Sequence, residues 1–264
     1  MKSITSRSNA TIKFIRDLQT RKGRKDSGKF FIEGVRLVGE AISSKFPLDA
    51  VIYSPELMIT DFAQEIVEQA KLAFIDLIEV SADVFASFSL KDGPHGIAAI
   101  GSQRFDSMEE KDLAGLWIGL EDIQDPGNLG TIFRSLDGAG GKGIFLFGNT
   151  VDPYHPTAVR SSMGAIFYIP IIPIPVDAFI QWKRKNIMQC FGTVCDAGTS
   201  YRDQTYPQDM VLIMGSEQKG ISDTLKDACD ILITIPMTGK IDSLNLSNAA
   251  SIVLFEIYSR RKHD

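Results

Sequence analysis

Three stretches of the chain concentrate side chains able to hold or move charge. In residues 121–134, EDIQDPGNLGTIFR, Asn128 stands near a helix N-cap, where free backbone amides collect. Arg134 follows six residues later, about one and two-thirds turns on, so it need not share the Asn128 face. An arginine there forks onto a phosphate or a carboxylate. In residues 214–220, MGSEQKG, Gly215 lets a ligand approach the backbone, and Glu217 can serve as acid, base or hydroxyl acceptor. In residues 235–250, IPMTGKIDSLNLSNAA, three small hydrogen-bonding residues, Ser243, Asn245 and Ser247, crowd a helix start. Each stretch also has a plainer reading: a cap with a surface arginine, a tight turn carrying a solvated carboxylate, and an ordinary N-cap cluster. The last accounts for one of its three polar residues more easily than for all three.

The elements that must position these groups follow from apolar patterning. Ile12, Ile15 and Leu18 have helical spacing within 9–22, and the glycines of RKGRKDSGK then predict a basic loop. Strands are predicted at 30–32, 50–53, 75–80 and 96–100, with helices from Val35 to Ala41 and at 63–71 and 82–87. The polar run GSQRFDSMEEKD, 101–112, reads as a linker. Beyond it, strands at 116–120, 144–147, 169–172, 189–195, 210–214 and 231–235 are interspersed with helices at 129–139, 157–162, 177–184 and 247–259. Short apolar strands interspersed with helices predict a mostly parallel sheet covered on both faces. The expected organisation is therefore a smaller N-terminal α/β domain, 1–105, and a C-terminal α/β domain, 113–264. All three polar stretches begin at strand ends of the second domain, the edge where open α/β sheets bind ligands.

One glycine motif is a decoy. Residues 138–143, GAGGKG, fit the dinucleotide pattern G-x-G-x-x-G, but a helix precedes and a strand follows. The fingerprint needs the reverse order, so that a helix N-terminus faces the pyrophosphate. The run is read as a helix-to-strand turn.

The chain has 264 residues, 44% of them hydrophobic and 23% charged, a globular balance without a long apolar run. Three cysteines cannot all pair, and Cys190 and Cys195 lack a partner pair at zinc spacing, so no metal site is expected. With a polar, basic start, MKSITSRSNATIKF, in place of a leader, this predicts a reduced, cytoplasmic protein. The net charge of −5 hides an asymmetry. Residues 1–29 contain nine Lys and Arg against Asp17 and Asp26, a net of +7, which leaves −12 on the remainder. Arg7, Lys13, Arg21, Lys22, Arg24 and Lys25 are thereby candidates for phosphate contacts with a nucleic acid, the alternative being a solvated helical face.

The sequences NLGTIFR (128–134), GSEQKG (215–220) and IPMTGKIDSLNLSNAA (235–250) together resemble the three motifs of the SpoU (TrmH) RNA methyltransferases of the SPOUT superfamily, in the expected order and at plausible spacing. VRSSMGAIF (159–167) is similar to the family's stretch between the first two motifs. KFFIEGVRLVGEAI (29–42) is similar to the substrate-binding domain that often precedes the catalytic one. Gln218 departs from the pattern, which usually has a small residue there. The resemblance implies a deep trefoil knot in the C-terminal domain and a homodimer. It implies S-adenosylmethionine held by the backbone at Gly215, Ile235 and Leu244. It also implies a catalytic and substrate-side shell of Asn128, Arg134, Glu217, Ser243 and Asn245. The implied reaction is methylation of a ribose 2′-hydroxyl, in ribosomal RNA first and transfer RNA second. Base methylation, or RNA binding without catalysis, are the alternatives.

Overall fold

Ile12, Ile15 and Leu18 are fully buried, yet the helix they define stops at Asp17. In the computed structural model, which describes residues 2–186, 188–196, 198–240 and 243–261, α1 (Ala10–Asp17) gives way to a second helix, α2 (Arg21–Ser27). The basic loop expected there is thus helical. The glycine that suggested a breaker has a packing role instead: a Cβ on Gly23 would lie 2.2 Å from the Asp17 carbonyl oxygen, so α2 closes on the end of α1 only with glycine. Thr20 caps α2, accepting from the Gly23 amide at 3.0 Å, and Gly28 ends it at φ +66°.

Five strands form the sheet of the first unit. They are β1 (Lys2–Ile4), β2 (Lys29–Glu33), β3 (Leu48–Tyr53), β4 (Asp76–Val80) and β5 (Ile97–Ser102), in the order β1-β4-β3-β5-β2. β1, β4 and β3 run parallel, while β5 is antiparallel to both β3 and β2. Helices α3 (Val35–Ser43), α4 (Asp61–Leu72) and α5 (Ala82–Ala86) complete the run. β1 is invisible to patterning, because only Ile4 of its three residues carries an apolar side chain and its pairing partner, Val80, lies 76 positions away.

This unit comprises residues 1–103 together with 152–168. Tyr154 packs on Phe30 with ring centroids 4.5 Å apart, and Phe167 on Phe46 at 5.1 Å. Arg24 joins the two segments from the inside. It is 1% exposed, donates from Nε to Asp152 at 2.6 Å, and donates from one Nη to the Leu18 and Gln19 carbonyls at 3.1 and 3.0 Å. Its expected place among RNA-facing cations is therefore corrected: Arg24 is a buried structural ion. Removing one partner of a buried pair strands the other charge, so Arg24→Ala is expected to cost about 3–5 kcal/mol in denaturant unfolding. A loss below about 1 kcal/mol would mean the pair is not holding the segments together.

The second unit comprises residues 104–151 and the chain from 169 onward. Its strands are β6 (Leu116–Glu121), β7 (Gly143–Phe147), β8 (Ile171–Pro173), β9 (Gln189–Thr193), β10 (Thr199–Ser200), β11 (Met210–Gly215) and β12 (Ile231–Thr234). They form one sheet, β10-β12-β9-β11-β6-β7-β8, with every pairing parallel. All six residues of β6 are buried, which requires cover on both faces. Among the described residues, four α-helices belong to this unit. α6 (Pro126–Gly138) packs against α10 (Leu246–Arg261), and α8 (Val176–Lys185) against α9 (Asp223–Ala228). α7 (Pro156–Ser161) lies between β7 and β8 in sequence but packs on β2 of the first unit. Trp117 stacks on Phe145 at 5.0 Å, and Phe145 and Phe147 both meet Phe179, which anchors α8 to the sheet. The glycine-rich run 138–143 is the turn from α6 into β7, as its order in sequence requires.

Candidate active site

β6 and β11 are neighbours in the sheet although about ninety residues separate them, and they pair in register from Met210↔Leu116 to Gly215↔Glu121. From β6 the chain runs outward through β7 and β8, then returns to place β9 beyond β11. The strand order therefore reverses at β6 and β11, the kind of switch point beside which open α/β sheets bind ligands. The chain leaves the sheet there into the first turn of α6, which carries Asn128, and into the loop that carries Glu217.

Two hydrogen bonds then tie the polar stretches together, and two more anchor them to the start of α10. Asn245 donates from Nδ2 to Asn128 Oδ1 at 3.0 Å, and Asn128 donates from its own Nδ2 to Glu217 Oε1. Asn245 Oδ1 accepts from the Ser247 amide at 2.9 Å and from Ser247 Oγ at 2.7 Å. The result is a directed chain of donors running from the start of α10, through two amides, to one carboxylate. A carboxylate only accepts, so it sets the orientation of both amides.

Asn128 is not the cap of α6. That position belongs to Asp125, whose Oδ1 accepts from the Asn128 amide at 2.7 Å, which leaves the Asn128 side chain free for Glu217 and Asn245. Pro126 at the first helical position fixes the start, so the cap signal lies in the Asp125-Pro126 pair.

Beside this relay lies a cavity of about 550 Å³. The carboxyl ends of β9, β11 and β12 form it, with the chain into α10 as its far wall. Gly215, Glu217, Ile235, Ser243 and Leu244 all line it, so the structure gathers five of the eight sequence-predicted catalytic and cofactor residues around one space. Asn128 and Asn245 join through Glu217. Arg134 stands apart: it is exposed, does not line the cavity, and lies about 9 Å along α6 from Asn128 at 1.5 Å per residue. Residues 241 and 242 of the third stretch lie outside the described residues.

Gly215 also has a role different from the one its motif suggests. A Cβ there would lie 1.9 Å from the Gly220 carbonyl oxygen, since Ser216 and Gly220 pair and fold the loop back over the strand end. The glycine first admits the loop that shapes the cavity. Two residues missed by sequence reasoning support the same loop or line the same space. Glu121, 8% exposed at the end of β6, accepts from the Ser222 amide at 2.6 Å and so holds the start of α9. Cys195, an exposed free thiol, lines the cavity from beyond β9. A buried acid inside a strand-end motif was a readable signal; the cavity face of Cys195 was not. Cys190 and Cys229 are also free, and burial pushes both thiols up to about 12.

Among the exposed cations of the first unit, Lys13, Arg21, Lys22 and Lys25 face solvent, whereas Arg7 is paired with Asp83 on the surface. Among the described residues no group of three His, Cys, Asp or Glu could hold a metal, and no helix is long and apolar enough to cross a membrane.

Comparison with known proteins decides the family. The SpoU rRNA Methylase family model matches residues 115–255, more than half of the chain. The chain belongs to the SpoU rRNA methylase family. Ahead of this SpoU region, an MRM3-like substrate binding domain matches residues 9–99. A Bacillus subtilis (strain 168) relative, the 23S rRNA (guanosine(2553)-2′-O)-methyltransferase RlmP, is 29% identical, covering 97% of this chain and 99% of its own. A Streptomyces viridochromogenes relative, the 23S rRNA (uridine(2479)-2′-O)-methyltransferase, is 27% identical, covering 98% and 92%. The crystal structure of an AdoMet-bound rRNA methyltransferase from Sinorhizobium meliloti superposes with a TM-score of 0.88 at 33% identity, covering 99% of this SpoU protein and 98% of that chain.

Proposed function

We propose that this SpoU family protein transfers a methyl group from S-adenosylmethionine to a ribose 2′-hydroxyl of ribosomal RNA. The observation that carries the reading is the Asn245–Asn128–Glu217 relay on the rim of the 550 Å³ cavity. That volume is within the range of about 300–1,000 Å³ of small-molecule sites. Ile235, Met237 and Leu244 give the cavity an apolar wall suited to an adenosyl group, while the strand ends offer backbone polar atoms. Gly215, Ile235 and Leu244 are the residues assigned to hold the cofactor. Its sulfonium supplies a methyl group already activated for transfer.

The chain must then align a weakly acidic hydroxyl with that methyl group and tolerate negative charge on its oxygen. Positioning of this kind contributes several kcal/mol, up to roughly 7–11 in ideal cases. Glu217, Asn128, Ser243 and Asn245 form the polar shell on the substrate side. A guanidinium such as that of Arg134 carries only donors and is a poor proton acceptor. Its role in this reading is to fork onto the neighbouring phosphate and stabilise the developing alkoxide, with another group or water taking the proton. Arg7, Lys13, Arg21, Lys22 and Lys25 of a substrate-binding domain, residues 1–105, hold the RNA backbone. The knotted catalytic domain, 113–264, acts as a homodimer in the cytoplasm.

Asn128→Ala removes the link between Asn245 and Glu217 without opening a core. Turnover is expected to fall about 100-fold, as for small misplacements of reacting groups, with unfolding free energy within about 0.5 kcal/mol of wild type. Steady-state methylation and urea unfolding check both halves.

The function itself is tested by incubating purified protein with labelled S-adenosylmethionine and either ribosomal or transfer RNA. Label is expected in ribosomal RNA, in 2′-O-methylated nucleosides. Label released with free bases would instead establish base methylation. Cofactor binding without transfer to either RNA would favour an assembly factor.

A further inference from the structure

A second cavity, of about 320 Å³, lies wholly within the first unit and is separate from the cofactor site. Phe31 and Leu37, 1% and 8% exposed, give it an apolar floor, and Leu90, 45% exposed, forms a lip. Glu33, a residue only 8% exposed, also lines it. Ser89 Oγ donates to one Glu33 oxygen at 2.5 Å and the Leu90 amide to the other at 2.8 Å. A carboxylate has about four acceptor positions, so one on each oxygen has no donor among the described residues. Two cations, Lys91 and Arg160, line the same cavity and form no ion pair among the described residues. Gln19 also lines it, two and three positions before the exposed Arg21 and Lys22.

We infer that this cavity receives a single unstacked guanine nucleotide of the substrate RNA, an inference that rests on RNA being the substrate. The volume is at the small end of ligand sites of about 300–1,000 Å³, room for one nucleotide and not for a docking helix. An apolar floor accepts a base face, and Lys91 and Arg160 accept its phosphate. The Glu33 carboxylate selects the base. Guanine presents N1–H and N2–H2 side by side, two donors that match two free acceptor positions. Adenine and cytosine set a ring acceptor beside their amino group, and uracil flanks its one N–H with carbonyls, so each turns a lone pair toward the carboxylate. The basic stretch beginning at Arg21 continues the phosphate path from the lip, which favours an RNA strand over a free nucleotide.

The test uses the full chain with its cofactor cavity blocked by S-adenosylhomocysteine. Binding of GMP, AMP, CMP and UMP is followed by NMR. GMP is expected to bind at least about tenfold more tightly than the others, and Glu33→Gln, which replaces one acceptor oxygen by a donor, should erase that preference. In parallel, Arg160→Ala, an exposed substitution, is expected to raise KM for ribosomal RNA about tenfold, with S-adenosylmethionine affinity reporting that the chain is folded. Equal or absent binding of the four nucleotides overturns the guanine assignment. GMP selectivity with an unchanged KM in Arg160→Ala overturns the assignment to RNA. Failure of wild-type protein to methylate any RNA while GMP selectivity persists refutes the methyltransferase reading and leaves the site a guanine-binding one.

Discussion

Arg134→Lys is expected to lower methyl transfer to ribosomal RNA by about 100- to 1,000-fold, the usual effect of removing one preorganised donor from a developing oxyanion. The charge is retained, so the loss isolates the planar fork. A guanidinium can hold a phosphate with two parallel N–H groups and still direct a third, whereas an ammonium is a point charge on a flexible stem. The structure supplies the reason to expect a clean result. Arg134 is exposed on α6 and does not line the cofactor cavity. Thermal stability should stay within about 0.5 kcal/mol, and calorimetric affinity for S-adenosylmethionine should be unchanged. Single-turnover rates at saturating RNA then separate the possibilities. If lysine keeps most of the rate, the forked geometry is disproved. If Arg134→Ala weakens RNA affinity but spares turnover, the residue only positions the strand.

Gly215→Ala is expected to remove cofactor binding, with affinity falling at least about 100-fold, the equivalent of about 2.7 kcal/mol. The added methyl group would sit 1.9 Å from the Gly220 carbonyl oxygen, 2.0 Å from its carbon and 2.3 Å from the Ile221 amide. Those are backbone atoms, so no rotamer change relieves the overlap. The 216–220 loop must move, taking Glu217 away from Asn128 and pulling on Ile221, which is 1% exposed. Overpacking of this kind costs about 1–3 kcal/mol in stability as well. Gly239→Ala is the matched control, because nothing among the described residues lies within 4 Å of the Cβ it would add. Calorimetry with S-adenosylmethionine on both variants gives the answer. Wild-type affinity in Gly215→Ala would show that the loop has another conformation competent to bind.

Local patterning was enough for most of the second unit. Its strands are short apolar runs between polar loops, and β6, β7 and β11 are buried on both faces, so hydrophobic runs marked them directly. It failed where a distant partner decides the outcome. β1 exists because Ile4 pairs with Val80. α2 exists because Gly23 fits against Asp17, which overrides the low helix propensity of a glycine among like charges. Basic composition ranked Arg24 with its neighbours, yet burial beside Asp152 set it apart. The segment 152–168 follows β7 in sequence but packs with the first unit, through rings such as Tyr154 and Phe167 that periodicity cannot assign to a partner.

The active site divides the same way. Residue types and their places at strand ends are local properties, and with the three motifs they already named the family and the polar groups. Which amide meets which carboxylate is not local. Asn128 lies 89 positions from Glu217 and 117 from Asn245, and their meeting depends on β6 and β11 pairing in register and on α10 packing against α6. Sequence alone therefore determined the chemistry available to this protein. Tertiary structure decided its arrangement, because hydrogen bonds act only over about 3 Å, a separation that folding, and not spacing along the chain, brings about.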